Sequence, residues 1–194
     1  MADFAGVSWI DMLNGGGLVR ESIPGRSAPL ADLGGAVLTT QVMLSVAVPC
    51  MAGDQVSKIA FRSGATAAGT PTNWWFALYD PAGLLVAQTA DQLTAAWAAS
   101  ATKDLSLVAF NVASSAAQTY SLPATGVYFA AVMVKATTTP SLLGVSTFDA
   151  SMSTGLVTGQ KQLAQTSGAA LTTTAPATIA TPTAVVNRAY AVVH

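Results

Sequence analysis

The chain has 194 residues, of which 52% are hydrophobic and 9% charged, with a formal net charge of -1. This length suits one substantial core with extra arms, and the charge balance leaves no basic surface to neutralise a row of phosphates, so nucleic-acid binding is not expected. Charge this scarce favours a surface hidden against copies of the chain or a larger assembly.

Residues 1 to 37 read as an N-terminal arm. Val7 to Leu13 could make a turn or two of helix, but Gly15-Gly16-Gly17 ends it, and Pro24, Gly25, Pro29, Gly34 and Gly35 exclude a long regular element afterwards. Within the arm, Phe4, Trp9, Ile10, Met12 and Leu13 form an apolar cluster that needs a cover, and the expectation is that they carry attachment to a partner. The first residues lack the positive region and apolar run of a secretory signal.

From Leu38 the pattern alternates. Val42, Leu44, Val46 and Val48 lie on one face and Gln41, Met43, Ser45 and Ala47 on the other, which predicts a half-buried strand. Cys50, the sole cysteine, reads as a small buried apolar residue. No stretch approaches the roughly 20 apolar residues needed to span a bilayer, so no membrane partner is expected. Further strands are expected over 56–62 and 74–79. The second of these ends in Asp80-Pro81-Ala82-Gly83, which fits a type I turn returning into a strand over 84–89. Residues 91–103 are rich in alanine and suit a loop or short helix. Strands resume over 105–112, 119–122, 127–135 and 142–147, the strand 127–135 being apolar on both faces.

Residues 149–187, rich in Ser, Thr, Gly, Ala and Pro, read as an irregular loop or arm, and 188–193 as the closing strand. Short strands at close intervals without helical periodicity predict an all-β fold, an antiparallel β-sandwich of jelly-roll-like form spanning 38–194.

Chemistry is hard to assemble from this chain. His194 is the only histidine and is terminal, so no His-based triad or metal site is expected within one chain, and no cofactor motif is present. Glu21, Asp32, Asp54, Asp80, Asp91, Asp104 and Asp149 fall in arms, turns or strand ends, where carboxylates serve the local backbone rather than a glycosidase pair. The aromatic run at 74–79 carries one sharper possibility. Trp75 and Tyr79 share a face, opposite Trp74, Phe76 and Leu78, and could make a platform for a glycan or a protein; the plainer reading is that a loop or a neighbouring subunit covers them.

The stretches GTPTNWWFALYD (69–80), AQTADQLTAAW (87–97) and TGVYFAAVMVKATTTPSLLG (125–144) resemble small virion proteins of tailed phages of actinobacteria. The resemblance covers residues 38 to 148 and carries no functional residues with it. It implies a β-sandwich displayed on the particle, as a capsid decoration protein or a minor tail component, assembled in the host cytoplasm with other virion proteins as partners. The expectation is therefore a non-enzymatic structural protein that self-associates, as a trimer by analogy, with glycan adhesion through Trp75 and Tyr79 as the alternative.

Overall fold

A computed structural model describes residues 19–23, 29–35, 37–108, 116–146, 154–155 and 157–194. The apolar cluster Phe4, Trp9, Ile10, Met12 and Leu13 lies outside them.

The three strands with the strongest apolar patterns form the centre. They are β3 (Met43–Cys50), β6 (Asn73–Tyr79) and β10 (Gly126–Lys135). β10 lies antiparallel between the other two, with Ala130 opposite Val46 on one side and Leu78 on the other. Around them run β1 (Arg20–Glu21), β5 (Lys58–Arg62), β7 (Leu85–Thr89), β8 (Thr102–Val108), β12 (Ala164–Ser167), β13 (Thr183–Ala184) and β15 (Ala191–Val193). These ten strands make one antiparallel sheet in the order β1-β15-β5-β8-β7-β6-β10-β3-β12-β13. The sheet turns a corner where β7 meets β8 through only Gln88 opposite Val108 and Thr89 opposite Leu107. Beyond that corner β15 packs on β3 and β10, and β5 on β6, so the two halves form the layers of an all-β antiparallel sandwich. A three-stranded sheet, β2 (Ala31–Asp32), β11 (Leu143–Ser146) and β14 (Asn187–Ala189), and the pair β4 (Gln55–Val56) with β9 (Tyr120–Ser121) complete it.

Side-chain alternation then fills the space between the layers. Leu44, Val46 and Val48 of β3, Trp74, Phe76 and Leu78 of β6, and Tyr128, Ala130, Val132 and Val134 of β10 face Ile59, Phe61, Ala191 and Val193 in one buried cluster. Trp97 closes that cluster from the loop before β8, its ring stacked 5.1 Å from Trp74 and set edge-on 5.5 Å from Phe76. Residues 91–101 contain no helix; they are a loop fixed by that tryptophan.

Several expectations change. β3 is not half-buried: Met43 and Ala47 on its second face are as covered as Leu44 and Val46. The cover comes from the region expected to be irregular. β12 pairs with β3 and β13 with β12, because the unsatisfied edge of β3 offers ladder partners that outweigh the weak strand preference of Ala164-Gln165-Thr166-Ser167. The closing strand is two strands in different sheets: β14 pairs with β11, and after Tyr190 the chain crosses to β15 in the main sheet.

The expected arm is also partly fold. β1 pairs with β15, β2 pairs with β11, and Ile23 and Val37 are buried, so residues 19–23, 31–35 and 37 contribute contacts of their own. Both faces of β10 are covered within the chain, so this strand does not supply the apolar surface that the expectation of self-association drew on beside the scarcity of charge.

Candidate functional site

Trp75 and Tyr79 do point away from Trp74, Phe76 and Leu78, but they form no platform. Each has 0% of its surface exposed. Residues 168–182 cross over them as a strap. Trp75 Nε1 donates to the Thr172 carbonyl at 2.7 Å, and the Tyr79 hydroxyl donates to the Pro176 carbonyl at 2.9 Å. The strap is further tied by the Ala175 N–H to Gln88 Oε1 at 2.8 Å and by main-chain bonds from Leu85 to Ala177 and from Ile179 to Gly83, each 2.9 Å. Leu171, Ala175 and Ile179 beneath it complete a second apolar cluster with Met43, Ala47, Phe129, Ala131 and Met133. The plainer of the two readings of this face, cover by a loop, describes the geometry. Burial also pushes the Tyr79 phenol well above its ordinary pKa.

The aspartates among the described residues are each engaged in holding backbone or in pairing. Asp32 accepts from the Ala65 N–H at 2.6 Å, the Gly34 N–H at 2.9 Å and the Ser141 hydroxyl at 3.1 Å. These bonds, led by that from Ala65, hold its pKa below the usual carboxylate value and make it a poor proton donor. Asp80 accepts from the Ala82 and Leu84 N–H groups at 2.8 Å each, and Gly83 closes the turn with a φ of 80°. Asp91 receives the Asn73 amide at 2.6 Å and the Trp74 N–H at 2.9 Å. Asp54 takes the Arg20 guanidinium and the Met51 N–H.

Asp104 sits between His194 Nε2 at 2.9 Å and Lys58 Nζ at 3.2 Å. Ser57 is adjacent, but its hydroxyl donates to the main-chain carbonyl of His194 at 3.3 Å, not to the imidazole, so the three residues are not arranged for nucleophilic attack. Cys50 is buried, and burial, followed by the nearby Asp54 charge, pushes its thiol up to about 12.

The feature that the sequence did not signal is an open cleft of about 220 Å³ beside the strap. Its walls come from three places: the β6–β7 turn (Pro81, Ala82, Gly83), the end of the strap (Ile179, Pro182), and the segment leading into β12 (Gln160, Lys161, Gln162, Gln165), with Phe129 of β10 among its lining. Lys161 bridges two of these walls, its ammonium donating to the Pro81 carbonyl at 3.0 Å. Gln165 has only 4% of its surface exposed, its main-chain oxygen accepts from the Ser45 hydroxyl, and its side-chain amide makes no hydrogen bond with any described residue. Gln162 Oε1 is buried and likewise has no hydrogen-bond partner among the described residues. Buried polar atoms without partners are exceptional in folded proteins, and Gln162 Oε1 is one on this wall, beside a Gln165 amide that bonds to no described residue. The walls converge only because β12 docks on β3, a pairing invisible in local patterning.

Comparison of the chain with protein-family models, with curated proteins and with solved structures found no match.

Proposed function

We propose that the chain is a non-catalytic structural protein of a tailed-phage particle, a decoration module seated on the head. The observation that carries the reading is the use made of charge. Asp32, Asp54, Asp80 and Asp91 each secure backbone N–H groups, and Asp104 pairs with Lys58 and His194, so the described carboxylates serve rigidity. Support also comes from the resemblance of residues 38–148 to small virion proteins and from the apolar residues Phe4, Trp9, Ile10 and Leu13 upstream of the fold. In this reading the sandwich, with a jelly-roll-like winding, is the displayed body. The upstream segment lies across neighbouring capsid subunits, where several modest contacts add up to firm attachment.

A trimer remains part of the proposal, but its contacts have to use surfaces other than β10. Adhesion to envelope glycans through Trp75 and Tyr79 is disfavoured, since both side chains are enclosed. The test is the copy number and position of the protein on purified particles, by gel densitometry and electron microscopy. Many copies on the head are expected; a few copies confined to the tail, or none, would overturn the proposal.

A further inference from the structure

The cleft beside the strap brings together two glutamine side chains with unused hydrogen-bonding capacity among the described residues, and we infer that it is a binding site for one neutral, hydroxyl-rich ring, a single sugar unit of a saccharide. The argument starts from size. At about 220 Å³ the cleft falls below the range typical of drug-sized ligands and suits one ring with its substituents, while its open mouth leaves room for a chain to continue on either side.

The chemistry of the walls narrows the ligand. Among the described residues no carboxylate and no arginine lines the cleft, and their one cation there, Lys161, already donates to the Pro81 carbonyl. A charged ligand would find no committed counter-charge there. What the walls offer instead is amides. Each primary amide presents a donor and an acceptor side by side, and two adjacent ring hydroxyls, each both donor and acceptor, match that pattern. Gln165 is nearly enclosed, yet its amide has no partner among the described residues, and the Gln162 carbonyl oxygen is buried without one. Leaving Gln162 Oε1 unsatisfied costs folding free energy, and the Gln165 amide is held in place without a protein partner, so a ligand that bonds to this wall meets groups already fixed for it. Phe129, Ile179, Pro81 and Pro182 supply the apolar contact for the C–H face of a sugar ring. The inference does not rest on Trp75 or Tyr79, and it holds wherever on a particle the protein resides.

The test uses the full chain with glucose, galactose, mannose and N-acetylglucosamine as probes, followed by saturation-transfer NMR and calorimetry, with glycerol as the control for hydroxyls without a ring. At least one sugar is expected to bind in the millimolar range and glycerol not to bind. Gln165→Leu is the decisive variant, because an amide without protein partners can be replaced by an apolar group of similar size with little effect on folding. It should keep its melting temperature and bind the sugar about tenfold more weakly, the order of one buried hydrogen bond. Gln162→Leu should weaken binding in the same direction. Binding of no sugar, equal response to glycerol, or undiminished binding by both variants would overturn the inference. A marked fall in the melting temperature of Gln165→Leu would also overturn it, since the amide would then be holding the fold rather than awaiting a ligand.

Discussion

Arg20 and Asp54, 34 positions apart, form a two-pronged ion pair, with Nε to Oδ2 and Nη2 to Oδ1 both at 2.8 Å. The side chains retain 15% and 8% exposure, and Asp54 also receives the Met51 N–H, so one carboxylate fastens β1 to the turn after β3. Removing one partner leaves the other charge largely enclosed. Arg20→Met is therefore expected to destabilise the fold by about 3 kcal/mol, the lower end for breaking a buried pair. In a chain of this size that corresponds to a melting temperature lower by about 6 to 12 °C. The double variant Arg20→Met with Asp54→Leu should recover part of the loss, because no charge is then stranded. A double variant worse than the sum of the single ones would contradict this account.

The same pair sets where truncation begins to hurt. Deleting residues 1–18 removes none of the described strand pairings and should leave a cooperative transition. Deleting residues 1–30 removes β1, the Arg20 partner of Asp54, the Tyr190 hydroxyl's bond to Glu21 at 2.7 Å and the buried Ile23. Its melting temperature should fall well below that of the shorter truncation. On the proposed function both truncated chains lose incorporation into particles, which separates attachment from folding.

Alkaline conditions should unfold the protein through groups that are kept protonated by burial. The Cys50 thiol is raised from 9.0 to about 12, and the Tyr79 phenol is raised above 10.0. A pKa raised in the folded state gives stability that is complete below the unfolded value and lost as pH climbs past it. Chemical denaturation should thus show constant contributions from these groups up to about pH 9, then a decline of at most about 1.4 kcal/mol per pH unit for each group, beginning near pH 9 for Cys50 and near pH 10 for Tyr79. At pH 8 Cys50 should react with a thiol reagent only at the rate of unfolding, and rapid stoichiometric modification of the native protein would refute the burial argument.

The strap is anchored by two ring groups, and each can be weakened separately. Tyr79→Phe deletes the bond to the Pro176 carbonyl and should cost about 1 kcal/mol. Trp75→Ala removes a fully buried indole together with its bond to Thr172, and should cost about 3 to 5 kcal/mol. Limited proteolysis after Tyr79→Phe should first cut within residues 168–182 if the strap loosens before the sandwich. First cleavage elsewhere would show that strap and sheet open together.

What could be read from the sequence was what short-range physics decides. Period-two alternation put Trp74, Phe76 and Leu78 into the core and Trp75 and Tyr79 on the reverse face, and the Asp80 to Gly83 turn closes as its residues demand. The doubly apolar run of β10 signalled cover on both sides. What could not be read was the source of that cover, because it comes from the Ser/Thr-rich residues around Thr172 and Pro176, 97 positions after the side chains they bond. β12 was missed for a related reason: Gln165 and Thr166 become strand residues by pairing with Ser45 and Leu44, a condition set at long range. The placing of Gln162, whose amide oxygen is buried without a partner among the described residues, and of Gln165 on one wall follows from that docking, and nothing in their local composition distinguishes them from other polar loop residues.

The strap holds its place chiefly through main-chain groups. The carbonyls of Thr172, Pro176 and Ala177 and the N–H groups of Ala175 and Ile179 make its bonds, while the side chains of Thr172, Thr173 and Thr174 face outward. Anchorage of this kind is indifferent to what those three positions carry. The stretch is consequently a permissive surface on which foreign side chains, or a short epitope inserted between Thr173 and Thr174, could be exhibited without disturbing the sheet below, turning a structural fastening into a site for presentation.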